Sequence, residues 1–185
     1  KEAGREPRRC QTPSAAGEPP TMAVNLSAGQ FLQPDLVGQV ARVLRETRIE
    51  PGTLKLEITE SVLMQHTEQV TETLHKLKAL GVQLHIDDFG TGYSSLGYLH
   101  RLPLDALKID RSFLTEAGGA NLPLIRTIVA LAHALGVVVI TEGIESSELL
   151  SELRALECEF GQGFFFSRPL ASEEIDALVA TDPCW

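Results

Sequence analysis

Six short apolar segments alternate with amphipathic helical segments along this chain, and the apolar segments carry polar residues at their ends. The strands are expected at Met22–Leu26, Leu54–Thr59, Val82–Asp87, Asp105–Asp110, Val137–Thr141 and Phe160–Phe166. Helices are expected over Asp35–Thr47, with Leu36, Val37, Val40, Val43 and Leu44 on one side, and over Thr67–Leu80, Ser94–His100, Leu122–Leu135 and Ser146–Leu156, with Ser172 capping a last one. Ser27 and Gln30 have the spacing of a capping box. Gly81 and Gly136 stand just past two of the helices, where a left-handed residue ends the turn.

Such alternation predicts an α/β fold with a parallel sheet covered by helices. Six strands would serve an open doubly wound sheet, but the polar residues favour a barrel. Asn25, Glu57, Asp87 with Asp88, Lys108 with Asp110, Glu142 with Glu145, and Gln162 all fall at strand ends. Only a closed ring brings the C-terminal ends of all its strands to one mouth. A (β/α) barrel takes eight strands, so two more are expected before Met22. Residues 1–21, rich in Arg, Glu, Pro and Gly, read instead as a poorly ordered lead-in, 22–182 as an incomplete barrel domain, and 183–185 as a tail.

The formal net charge of −9, without a basic stripe, argues against binding duplex nucleic acid. It leaves room for a small phosphorylated substrate, since bound cations would reverse the sign of the site. Cys10, Cys158 and Cys184 have neither zinc-ligand nor disulfide-framework spacing, which fits a reducing, cytoplasmic setting. No apolar run reaches the length of a membrane span.

Chemistry concentrates at Asp87–Leu96, DDFGTGYSSL, where two acids end a strand and enter a loop rich in Gly and hydroxyls. Carboxylates hold hard cations and glycines let backbone N–H groups approach anionic oxygens; a solvated acidic turn is the plainer alternative. Glu57 lies opposite the Leu54, Leu56 and Ile58 face and is either a metal ligand or the partner of Lys55 or Lys108. Asn25 is a neutral oxygen ligand or a turn residue. Lys108 offsets phosphate charge, orients a water, or simply pairs with Asp87. Glu142 and Glu145 are site acids or complements to a helix dipole. Gln162, between two glycines, contacts a ligand or its own loop. His85 shares the inward face with Asp87 and reads as a hydrogen-bonded barrel histidine, and Phe164–Phe165–Phe166 reads as core rather than as a platform for stacking bases.

The ordered segments VNLSAGQ, LEITES, DDFGTGYSSLGYL, LKIDRSF, TEGIE and GQGFFFSRPL resemble the EAL family of cyclic di-GMP phosphodiesterases, from about Val24 to Leu170. The resemblance implies a TIM-like barrel with one antiparallel strand, and hydrolysis of cyclic di-GMP to linear pGpG with Mg2+ or Mn2+. It implies metal ligands at Asn25, Glu57, Asp87 and Asp88. Lys108 matches the lysine that holds the attacking water, and Glu142 an acid of the metal–water network; with Asp88 these form the expected catalytic set. Gln162, Glu145 and Asp110 are expected near substrate, and Glu60 is expected to steady the loop after Asp88. A homodimer and an upstream sensory or cyclase domain are further implied partners.

One signature is missing. The Glu-Ala-Leu tripeptide within ExLxR, which supplies a metal ligand and substrate contacts in that family, does not occur in Lys1–Met22. Weak or absent activity is therefore expected of these 185 residues. The alternative is a non-catalytic domain that binds cyclic di-GMP or another protein.

Overall fold

The structure is a computed structural model that describes residues 20–63, 68–90, 99–114 and 120–180. Nearly all of the expected lead-in, the C-terminal tail and most of the expected Ser94–His100 helix lie outside those residues. Six parallel strands form one sheet in the order of the chain: β1 (Met22–Leu26), β2 (Leu54–Thr59), β3 (Gln83–Phe89), β4 (Ala106–Ile109), β5 (Val138–Glu142) and β6 (Phe160–Gln162). The antiparallel strand implied by the resemblance is not among them. Connections between sequential parallel neighbours follow a right-handed rule, which puts their helices on one face of the sheet. The other face is left to become the inside of a barrel.

The helices are α1 (Ala28–Phe31), α2 (Leu36–Thr47), α3 (Glu60–Leu63), α4 (Glu68–Ala79), α5 (Leu122–Leu135), α6 (Ser147–Ala155) and α7 (Ser172–Ala180). The Ser27 capping box is complete: its hydroxyl accepts from the Gln30 N–H, and the Gln30 side chain accepts from the Ser27 N–H. On α2 the buried row is Leu36, Val40 and Leu44, while Val43, expected on that stripe, is exposed. Val70, Leu74 and Leu77 of α4 are buried as their spacing predicts. Ser172 is the first residue of α7 rather than its cap. The Glu174 carboxylate caps instead, accepting from the Ala171 N–H at 2.9 Å.

Alternation along the strands separates two environments. Leu54, Leu56, Ile58, Leu84, Ile86, Leu107, Ile109 and Val139 are buried toward the helices. Lys55, Glu57, His85 and Lys108 lie on the inner face. The sheet is curled into a half-barrel. A flat sheet would hold β2 and β6 about 19 Å apart, at roughly 4.8 Å per strand. Yet the Lys55 ammonium on β2 lies 6.0 Å from the Phe160 ring centroid on β6.

The last strand is shorter than its sequence suggests, because the chain turns back after Gln162. Phe165 N–H donates to Ile144 O at 3.0 Å, and Phe166 N–H donates to Gly163 O at 3.1 Å. Gly163 is packed directly against the Ile144 backbone. A Cβ there would lie 2.0 Å from Ile144 O, closer than either backbone can relieve by rotating a side chain. Gly163→Ala is expected to lower unfolding free energy by about 3 kcal/mol, measured by urea denaturation. An unchanged midpoint would show that this turn is not held as described.

Candidate metal centre

Register carries the strand-end residues to one place. Asn25 pairs with Glu57 across β1 and β2, and Glu142 with Gln162 across β5 and β6. Curling then brings β2, β3, β4 and β5 together over one side chain. The Lys108 ammonium lies 2.9 Å from Glu57 Oε1, 2.8 Å from Asp87 Oδ1 and 2.7 Å from Glu142 Oε1. Its side chain is only 4% exposed. Both simpler readings, a Glu57–Lys108 pair and a Lys108–Asp87 bridge, are thus present, but as parts of one cluster.

One ammonium faces three carboxylates, so two negative charges remain uncompensated within it. Burial pushes the Glu57 carboxyl above its usual range, with Asp87 and Glu142 adding to the shift and Lys108 opposing it. Burial works against the Lys108 charge, but Glu57, Glu142 and Asp87 together hold its pKa above the ordinary lysine value.

The second oxygens of two of these acids converge on Asn25. The Asn25 amide atom facing them lies 3.0 Å from Glu57 Oε2 and 3.2 Å from Asp87 Oδ2. With the amide nitrogen there, the three side chains form hydrogen bonds. With the oxygen there, they form a cage of three oxygens, which is the donor set of a hard divalent cation. A second group overlaps it: Asp87, Asp88 and Glu142 each offer an oxygen within 4.8 Å of the others. The residues present therefore fit a hard divalent cation, with Asp87 common to both groups.

Asp88 reaches this group through a local distortion that strand periodicity does not anticipate. In a regular strand, Asp87 and Asp88 would point to opposite faces. The β3–β4 register shifts between Ile86 and Phe89, and Asp88 has φ 54°. This bulge turns the second acid to the same side as the first. Burial raises the Asp88 pKa, with Asp87, Asp110 and Glu142 contributing. Just beyond, the Gly90 N–H donates to Glu60 Oε2 at 2.9 Å, and Glu60 is buried.

The remaining candidates are more loosely associated. Asp110 follows β4 and accepts from the Ser112 N–H at 2.9 Å; burial opposes its ionisation, but hydrogen bonds from Ser112 and Arg111 hold its pKa low. Gln162 sits beside Glu142 in register. Glu145 is exposed beyond β5. Gly143 between the two glutamates has φ 81°, and its Cα faces Arg111 so closely that a Cβ would lie 2.5 Å from Arg111 Cβ. The phenylalanine triplet is split. Phe165 and Phe166 pack on the core, edge to face at 5.5 Å, whereas Phe164 is 53% exposed.

Below the acids, His85 is buried, with Nε2 3.4 Å from Gln83 Oε1. Burial lowers its pKa to about 3, with Lys55, Lys108 and Lys78 adding and Asp105 opposing. Between the ordinary value of 6.5 and about 3, the unfolded chain takes up a proton that the fold refuses. Stability from the neutral ring is complete above pH 6.5 and falls as pH drops through that window, by at most about 1.4 kcal/mol per pH unit. His85→Gln is expected to flatten the acid side of a stability–pH profile, and an unaltered slope would contradict this. Lys108→Met should cost about 3–5 kcal/mol in chelator, since it leaves buried carboxylates unpaired. Added Mn2+ should raise the variant's melting temperature more than that of the unsubstituted chain. Equal stability in chelator would show that the ammonium does not balance the cluster.

Comparison with known proteins places the chain in a family. The EAL domain family model matches residues 6–169. The chain is 44% identical over 160 residues to the cyclic di-GMP phosphodiesterase NbdA of Pseudomonas aeruginosa, covering 85% of this chain and 20% of that protein. Among solved structures it resembles the PaMucR phosphodiesterase in complex with c-di-GMP, with TM-score 0.80 and 42% identity over 84% of this chain and 70% of that one. It also resembles the manganese and cyclic di-GMP complex of Klebsiella pneumoniae BlrP1, with TM-score 0.72 and 32% identity over 80% of this chain and 39% of that one. The chain spans about a fifth of the length of NbdA. Among the described residues, no helix is long and apolar enough to cross a membrane. From its sequence match and its curled parallel sheet alike, this chain belongs to the EAL domain family.

Proposed function

We propose that this domain acts on cyclic di-GMP, hydrolysing it to linear pGpG with two divalent cations, Mg2+ or Mn2+. The observation that carries this reading is the charge imbalance at the mouth of the half-barrel. One ammonium meets three carboxylates, and a fourth, Asp88, is turned toward them by a bulge. The solved relative with manganese and cyclic di-GMP supports the same choice of ligand class.

In this reading Asn25, Glu57 and Asp87 hold one cation, and Asp87 with Asp88 serves the other. When bound, the cations would supply Lewis acidity toward a phosphoryl oxygen and would acidify a coordinated water. Lys108 stands among the ligands, fixes their orientation and offsets charge that develops on the phosphorane-like transition state. Glu142 accepts a hydrogen bond from the attacking water. Gln162, Glu145 and Asp110 line the substrate side of the mouth. Glu60 holds the segment after Asp88 through the Gly90 N–H.

The sequence itself favours a second reading in one respect: the ExLxR glutamate that the family places in the metal cage does not occur before β1. We therefore propose reduced turnover for these 185 residues, with nucleotide binding as the alternative activity. Calorimetry with Mn2+ and with cyclic di-GMP in Ca2+, followed by chromatography for pGpG, separates the cases. Metal and nucleotide binding with slow pGpG formation is expected. Glu57→Gln should weaken metal binding and cut turnover by at least about two orders of magnitude. Tight nucleotide binding with no product, even in a chain that carries an ExLxR strand, would establish the binding module instead. Rapid turnover unaffected by Glu57→Gln would overturn the assignment.

A further inference from the structure

Phe164 is, with Phe160, one of the two phenylalanines more than half exposed among the described residues. The two residues after it turn toward the core, where Phe165 and Phe166 pack edge to face. Phe164 remains 53% exposed although its backbone is tightly held. Gly163 before it is jammed against Ile144, and the Phe165, Phe166 and Ser167 N–H groups donate to Ile144 O and Gly163 O. A large apolar ring is thus presented to solvent on a rigid turn. Its location is specific: two residues beyond Gln162, which pairs with Glu142 at the C-terminal end of the sheet. The Arg168 guanidinium lies 4.8 Å from the ring centroid, within range of a cation–π contact.

We propose that Phe164, backed by Arg168, is a specificity-determining platform on which a purine base of the nucleotide stacks. The proposal rests on the cyclic di-GMP reading and deepens it. The carboxylate cluster engages phosphate through cations, and that chemistry is the same for any phosphodiester. A base needs a flat apolar surface, and a preorganised phenyl ring offers one with little entropy left to lose. The guanidinium lies over the ring, and more than half of the residue remains open to solvent. Position and rigidity together make the exposed ring useful for binding, whereas a core role would have buried it.

The test is calorimetric titration of the chain, in Ca2+, with cyclic di-GMP, alongside Mn2+ titrations without nucleotide. Phe164→Ala is expected to weaken nucleotide binding about tenfold, in line with base–aromatic stacking, while Mn2+ affinity and melting temperature stay unchanged. Phe164→Trp should retain or tighten nucleotide binding, and Arg168→Ala should cause a smaller loss. Equal nucleotide affinity in Phe164→Ala and the unsubstituted chain would overturn the platform and leave the proposed function standing. A parallel loss of Mn2+ binding would identify the ring as structural and also overturn it. Failure of the unsubstituted chain to bind cyclic di-GMP would overturn both readings.

Discussion

The Lys108 ammonium is the interaction on which the geometry of the mouth depends. It reaches carboxylates from β2, β3 and β5 at 2.7–2.9 Å, so three strands of the curled sheet are tied to a fourth at one atom. Buried ion pairs recover their desolvation cost only when geometry is good and other lone pairs are satisfied. Here the second condition is met through Asn25, whose amide nitrogen can donate to the second oxygens of Glu57 and Asp87. An arrangement optimised for stability alone would not gather this many acids around one cation. The surplus is understandable if further positive charge belongs to the working state of the site.

Two backbone features make that gathering possible. The bulge between Ile86 and Phe89 turns Asp88 beside Asp87 at the cost of a left-handed backbone at a non-glycine residue. Asp is among the residues that tolerate this conformation best. The buried Glu60 carboxylate then receives the Gly90 N–H immediately beyond the distortion. At the other side of the mouth, Gly143 takes φ 81° against Arg111, joining the end of β5 to the residues after β4. The acids are therefore positioned by strained or crowded backbone supported by neighbouring elements, as expected where function rather than propensity determines conformation.

Much of this was legible in the sequence. Each of the six strands and the four helices α2, α4, α5 and α6 falls within a residue or two of its expected span, except β6. Strand parity correctly grouped Glu57, Asp87 and Lys108, because one face of β2, β3 and β4 is apolar throughout. Parity failed where the backbone departs from regular pleating. It gave no reason for Asp88 to join Asp87, and it extended β6 through phenylalanines that instead form a turn. Glycine crowding at Gly163 depends on where Ile144 lies in space, which no local pattern reveals. Val43 and Ser172 were misplaced for a smaller reason: helix periodicity locates a stripe only to within about one residue.

The inner face is also layered along the strands, and the layers differ in sign. The acids occupy the C-terminal mouth. One step toward the N-terminal ends lie Lys55, His85 and the Phe160 ring, with little negative charge among them. Burial lowers the Lys55 pKa, and Glu57 from the layer above is the charge that supports its protonated form. His85 is held neutral between Lys55 and Lys108. With His85 neutral, Lys55 is the charged group of this layer, so the negative potential is concentrated at the carboxylates, where solvent has access. The acidic rim thus lies at the end of the sheet where Gln162 pairs with Glu142, two residues before Phe164.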